Sequence, residues 1–340
     1  MKSPVFSIPF NGDLALVKSA LASGRVSEVY FSPWSRHLRA ANYFGAGEKA
    51  AAGDAALKKL YPLCRSAGAR VNLLCNSPVM RLGELPSLFR RIRSLGVPDA
   101  ITLADPLAVR PFRTAFPDTE LQASFIMHLD TPAKIASGLA LGLGAVTLPA
   151  ALNRDGRALE ELRLLKRRFP AFRIKMMANL DCFAGCVFIH SHYTHGALLA
   201  EDGRIEDEEN GPARLCHMEY KSPGDFIRVP FVRPENTAWY ARRGWCDEFK
   251  LIYRAFPSPV LRKVYRAYFS GRHAGNLFKI VPSKNAAYEN ARGGGRAPAL
   301  NCDNRAFPRG FAARVCACSR NCDACGYCDR TAVRTKCRVK

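Results

Sequence analysis

Four cysteines near the end of the chain, Cys318, Cys322, Cys325 and Cys328, read C-x3-C-x2-C-x2-C. That spacing can bring four thiolates round one centre, which a metal needs and a hydrophobic core does not. Seven of the 13 cysteines fall between positions 302 and 340, and Cys302 and Cys316 compete as ligands. Zinc sites commonly use two C-x2-C pairs set a dozen or more residues apart. The compact run here is closer to the ligation of a 4Fe-4S cluster, with zinc as the alternative for this C-terminal site. Cys318, Cys322 and Cys325 also match the C-x3-C-x2-C of radical S-adenosylmethionine enzymes. We read that match as coincidental, because the three do not follow the first strand.

A second constellation is N-L-D-C-F-A-G-C-V-F-I-H-S-H at 179–192. Cys182, Cys186 and Cys216 offer three thiolates, which would leave one iron of a cluster open to substrate; Cys246 or His192 could supply a fourth ligand. His190, His192 and His195 could instead hold zinc and activate water for hydrolysis. Their H-x-H-x2-H spacing differs from the helical H-E-x-x-H of zinc proteases. Histidines beside a cluster serve more naturally as hydrogen-bond donors or proton carriers. Cys64 and Cys75, isolated in apolar stretches, read as small core side chains.

The elements that must position these residues are legible. Strand-like runs occur at 6–10, 28–32, 71–75, 100–104, 121–125, 145–149, 173–178 and 249–253. Helix-period segments lie between them at Asp54–Ala67, Leu82–Leu95, Thr131–Leu141 and Asp155–Phe169, and Ser258–Ser270 follows the last strand. Eight alternations predict an α/β fold of the (β/α)8 TIM-barrel type. Polar residues follow the strands: Asn11 and Asp13, Ser32, Asn76, Asp105, Asn153 with Arg154, Asn179 with Asp181, and Arg254. In a barrel these positions converge on one face, although each alone also suits a turn or a helix cap.

An insertion from 180 to 248 separates strands seven and eight and carries an acidic run, Glu201 to Glu209, that reads as a solvated loop. The expected organisation is a barrel over 1–284, a glycine-rich linker at 285–298 and a small Cys-rich basic appendage at 299–340. An appendage that short needs a staple, so a metal there would hold it together.

At 48% apolar and 24% charged, the 340-residue chain is globular rather than disordered. Its net charge of +22 favours small anionic substrates or polyanions, and RNA is one such partner. The basic stretches nevertheless lack the stacking aromatics of RNA-binding modules. The start, MKSPVFSIPFNGDLA, has no apolar h-region, and the odd cysteine count suits a reducing compartment. A cytoplasmic location is the expectation. The uncharged stretch Ile135 to Asn153 is long enough to raise a membrane span, but Gly138, Gly142, Gly144 and Pro149 interrupt it.

Over nearly all its length the chain resembles peptidase family U32, the collagenase-like proteins. The matching segments include IPFNGD (8–13), LLCNSP (73–78), FPDTELQASF (116–125), LPAALNRD (148–155) and NLDCFAGC. RPEN (233–236), FKLIYR (249–254), AYFSGRHAGNL (267–277) and the terminal cysteine motif continue the series. The resemblance implies a barrel carrying an oxygen-sensitive 4Fe-4S cluster. It implies oxygen-independent hydroxylation of ubiquinone precursors or RNA bases, with prephenate as oxygen donor.

By the same resemblance, Cys182, Cys186 and Cys216 hold the barrel cluster and His192 stands beside it. The tail then becomes a second, auxiliary cluster, and a partner subunit of the same family is a further expectation. The catalytic set this suggests is His192 moving protons, with Asn179 nearby and Arg154 and Arg254 gripping the carboxylates of a small anionic donor. Two rival readings are a metal-dependent peptidase built on the histidines and a non-catalytic RNA-binding or partner protein driven by the basic tail.

Overall fold

The computed structural model describes residues 3–32, 53–180, 182–201, 222–254, 256–281 and 300–339. Cys216, Asp181, residues 202–209 of the acidic run and the linker at 285–298 lie outside them. The first half runs β1 Phe6–Pro9, α1 Leu14–Leu21, β2 Val26–Phe31, α2 Asp54–Ser66, β3 Arg70–Cys75, α3 Leu85–Leu95, β4 Ala100–Leu103, α4 Val109–Ala115 and β5 Glu120–Ala123. Then come α5 Pro132–Ala140, β6 Leu143–Thr147, α6 Gly156–Arg168, β7 Arg173–Met177, α7 Ile189–Glu201, α8 Pro223–Arg228, α9 Pro234–Arg242, β8 Glu248–Lys250 and α10 Ser258–Ser270. The tail contributes β9 Leu300–Asn301, α11 Phe311–Cys316, α12 Cys322–Cys325, α13 Tyr327–Arg334 and β10 Arg338–Val339.

Strands β1 to β8 pair in sequence order, all parallel, and β8 returns to β1 through Phe6↔Phe249 and Ser7↔Lys250. The expected (β/α)8 barrel is therefore present. Its strand alternation sorts the side chains. Ile8, Val29, Phe31, Val71, Leu73, Ile101, Leu121, Val146, Ile174, Met176 and Phe249 belong to the continuous buried core that the helices cover.

The inward set is polar, unlike the branched aliphatics that usually fill such a barrel. Glu28 accepts hydrogen bonds from Ser7 Oγ at 2.8 Å, Asn72 Nδ2 at 2.9 Å, Gln122 Nε2 at 2.9 Å and Lys175 Nζ at 2.5 Å. Lys175 also lies 2.7 Å from Glu248. Burial alone would raise the Glu28 carboxyl, but Lys175 and Arg70 overcome it and hold the group well below the carboxylate range. Arg70, Glu120, Arg173 and Glu248 extend the ion pairs outward from this layer. Buried charges persist only when paired in this way.

Helix ends follow the sequence signals. Asp13, Thr131 and Asp155 each accept a backbone N–H three residues on, at 2.9, 3.2 and 3.0 Å. Asp105 caps a short turn through Leu107 N at 2.9 Å, so capping accounts for it and for Asp13. Two expectations shift. The last strand ends at Lys250, not Tyr253, because Tyr253 adopts φ 79°, which no strand accommodates. The insertion holds three helices, α7 to α9, among its described residues. No helix among the described residues is long and apolar enough to cross a membrane.

Candidate metal centre and barrel mouth

The tail is seated on the barrel rim by specific contacts. Arg228 of α8 lies 2.6 Å from Asp329 of α13. Arg233 donates to the Asn304 side chain at 2.7 Å and to its carbonyl at 2.8 Å. Phe231 stacks on Phe311, which also meets Phe307 and Tyr327. A Cβ on Gly156 would stand 2.8 Å from the Cys316 carbonyl oxygen, so the absence of a side chain there lets α11 approach the start of α6.

That docking brings the thiols to one place. Cys318, Cys322, Cys325 and Cys328 line a cavity of about 290 Å³ together with Arg228 and Arg314. An adjoining cavity of about 400 Å³ is lined by Cys318, Cys322 and Cys328 and also by Cys186, Phe183 and Arg154 of the barrel side. The Arg314 guanidinium reaches to 3.7 Å of Cys325 Sγ, and the Arg320 amide donates to Cys318 Sγ at 3.3 Å. Burial pushes the Cys328 thiol up to about 11, against the pull of Arg154 and Arg228. Soft sulfur donors ringed by fixed cations suit a group that binds thiolates. Among the described residues no three His, Cys, Asp or Glu side chains are gathered closely enough for a single metal ion. The four thiols that line the cavity are the donor type that both a zinc ion and an iron–sulfur cluster use.

The competing cysteines are engaged elsewhere. Cys302 is lowered by a hydrogen bond from Cys337, and Cys337 is raised by the same contact. Cys316 lies 3.1 Å from the Tyr240 hydroxyl, buried at the tail interface, and desolvation raises it. Cys246, one of the two alternatives for a fourth ligand, is buried and donates to the Glu248 carbonyl at 3.1 Å.

The second constellation divides. Cys186 faces the tail cavity, whereas Cys182 packs against Ala150, Met177 and Leu180 with Phe125 and Ile252, over the barrel mouth. His192 lies on α7 and stacks with Tyr193, which meets Phe125 at 5.1 Å, while His190 pairs with His128 at 3.8 Å between ring centroids. These histidines cover the end of β5, and His195 continues the same helix.

Arg154 does not stand as a carboxylate clamp. Its Nη1 donates to Ile227 O at 2.7 Å and its Nη2 to Phe231 O at 3.2 Å, and the guanidinium lies over the Phe231 and Phe311 rings. Its charge is committed to the tail interface, beside Cys316, Cys318 and Cys328.

Asn179 and Arg254 are at the mouth. Asn179 Oδ1 accepts from Ile252 N at 2.8 Å, which leaves its buried Nδ2 without an acceptor among the described residues. Arg254 follows the left-handed Tyr253, and burial pulls its guanidinium down to about 10. Two residues of the mouth escaped the sequence reading, Tyr30 and Lys250. Lys250 Nζ lies 4.2 Å from the centre of the Tyr30 ring. The two-residue alternation of β8, which points Glu248 and Lys250 to the interior together, was the signal for the lysine.

Fold and site thus define a parallel (β/α)8 barrel with a thiol-lined cavity where its C-terminal tail meets the strand ends. No protein-family model matches the chain. It is 23% identical over 245 residues to the uncharacterised protease MJ1657 of Methanocaldococcus jannaschii, covering 72% of this chain and 68% of that protein. Its fold is similar to the U32 peptidase Mk0906, with a TM-score of 0.51 at 14% identity over 74% of this chain and 94% of that one. The fold likeness to a U32 peptidase agrees with the U32 resemblance read from the sequence.

Proposed function

We propose that this chain is an iron–sulfur enzyme of the U32 type that hydroxylates a small aromatic or RNA substrate without dioxygen, taking oxygen from a small anionic donor. The observation that carries this reading is the convergence of Cys318, Cys322, Cys325 and Cys328 on one cavity beside Cys186, at the face of the barrel where such enzymes place their sites. In net terms a C–H of the acceptor becomes C–OH while the donor exchanges its C–OH for C–H, which balances without an external oxidant.

Cys318, Cys322, Cys325 and Cys328 would hold the 4Fe-4S cluster, and Cys186 stands within the adjoining space. When bound, the cluster supplies electron storage close to the strand ends. Arg154 stands beside Cys318 and Cys328, and Arg314 lies 3.7 Å from Cys325 Sγ, so both place positive charge at the sulfur donors. Phe183 and Phe188 line the larger cavity and give part of its wall an apolar character. The net positive charge of the chain draws an anionic donor toward this face.

Anaerobic purification followed by iron and sulfide analysis and electron paramagnetic resonance tests the proposal. The expected result is about four irons per chain, lost in Cys322→Ser and retained in Cys182→Ser. A colourless protein containing only zinc would overturn it. The names of both relatives, a protease and a peptidase, favour a second reading, peptidase activity. That reading predicts peptide hydrolysis in air by the Cys322→Ser protein, measured against the iron-free wild type.

A further inference from the structure

The barrel interior contains two lysines in successive layers, and they are treated differently. Lys175 is fully buried and held between Glu28 and Glu248. Lys250, two residues beyond Glu248 on the same strand, retains 8% exposure, and among the described residues its amine has no carboxylate partner. Its neighbour is the flat face of Tyr30, whose own hydroxyl is engaged with Leu251 O at 2.8 Å. Lys175 below and Arg254 above both disfavour a third positive charge, and Glu28 and Glu248 only partly oppose them. Burial is the largest influence, and the amine is drawn down to about 7. An aliphatic amine in that state is about half unprotonated at pH 7, and the neutral fraction is nucleophilic.

Two polar groups unsatisfied among the described residues lie at the same end of the barrel as Lys250. Asn179, fixed through Ile252 of the segment that follows β8, has a buried amide N–H group with no acceptor, and the Thr147 hydroxyl at the end of β6 is buried without a partner among the described residues. A carbonyl oxygen is the acceptor such groups lack. Met177, Leu180 and Cys182 form an apolar patch at the same end of the barrel.

We propose that Lys250 is a nucleophilic amine that condenses with a small aldehyde or ketone entering the barrel mouth. The Nζ lone pair attacks the carbonyl carbon, the oxygen takes up protons and departs as water, and a C=N bond joins the ligand to the lysine. No oxidant or reductant is consumed. The proposal stands on the barrel mouth alone and holds whether or not the tail binds a cluster.

Reductive trapping tests it on the full-length protein. Glyoxylate and sodium cyanoborohydride are added across a pH series, and adducts are located by peptide mass mapping. At pH 7 the Lys250 peptide should be modified at least about ten-fold faster than exposed lysines, because its far larger unprotonated fraction outweighs its lower basicity and its burial. Its rate should rise with a midpoint near pH 7, and Lys250→Arg should remove that adduct while leaving the others. Labelling spread over surface lysines with Lys250 unmodified would overturn the proposal, and so would a Lys250 rate that climbs only with theirs. Should Lys250→Arg fail to fold, the wild-type pH series alone decides.

Discussion

Gly224 and Asp329 approach so closely that a Cβ on Gly224 would stand 1.9 Å from Asp329 Oδ1. The glycine is in α8 of the insertion and the aspartate in α13 of the tail, so this contact sets how near the tail can come to the barrel. Asp329 is held there by Arg228, one turn further along α8. Gly224→Ala must displace the carboxylate, and overpacking of this kind costs about 1–3 kcal/mol. Urea denaturation should show that loss, and limited proteolysis should release the tail faster. Gly310→Ala is the control, since a Cβ there meets nothing within 4 Å.

Arg154 lies under the same interface. Replacing it by Met removes two charge-assisted hydrogen bonds to buried carbonyls and the cation between two aromatic rings. A loss of about 2–4 kcal/mol is expected, because the Ile227 and Phe231 carbonyls are left without these donors. If the guanidinium also steadies the thiolates, iron retained after anaerobic purification should fall in Arg154→Met. Arg154→Lys should recover part of the charge effect and little of the hydrogen bonding.

The barrel was readable because its outward residues keep strict alternation: all eight strands lie where runs such as VNLLC and AITLA suggested. The interior was less so. Glu28, Lys175 and Glu248 each look like surface charges in isolation, and only the closure of β8 on β1 brings them to a common centre. The cysteine motif of the tail was plain, yet its place was not. Adjacency of Cys186 to Cys318 depends on α13 docking along α8, which no spacing encodes. Cys182 and Cys186, four positions apart, read as one site; Cys186 lines the tail cavity, Cys182 packs on Ala150, Met177 and Leu180, and Cys216 lies outside the described residues.

Lys175 tests the barrel interior directly. Lys175→Met would leave Glu28 and Glu248 buried beside an apolar side chain, and breaking such a network by removing one partner costs about 3–5 kcal/mol. The pH dependence follows from Glu28, whose carboxyl is held below its unfolded value. Its stabilisation is complete above the ordinary carboxylate range and is lost as pH falls toward the folded value. Wild-type protein should therefore lose stability between about pH 5 and pH 2, and Lys175→Met should show a much shallower fall in the same titration.

Lys250 imposes the opposite sign. Its folded value near 7 lies below the ordinary 10.5, so between those limits the unfolded chain holds a proton that the folded chain has released. Stability therefore rises with pH across that window, by at most about 1.4 kcal/mol per pH unit from this one group. Lys250→Met has no such proton to release. The stability of the variant relative to wild type should be greatest at or below pH 7 and should decline steadily toward pH 10.5. Chemical denaturation at half-unit pH intervals measures that difference. A constant offset across the window would mean that the amine titrates as an ordinary exposed lysine, and the nucleophile assigned to the barrel mouth would be lost with it.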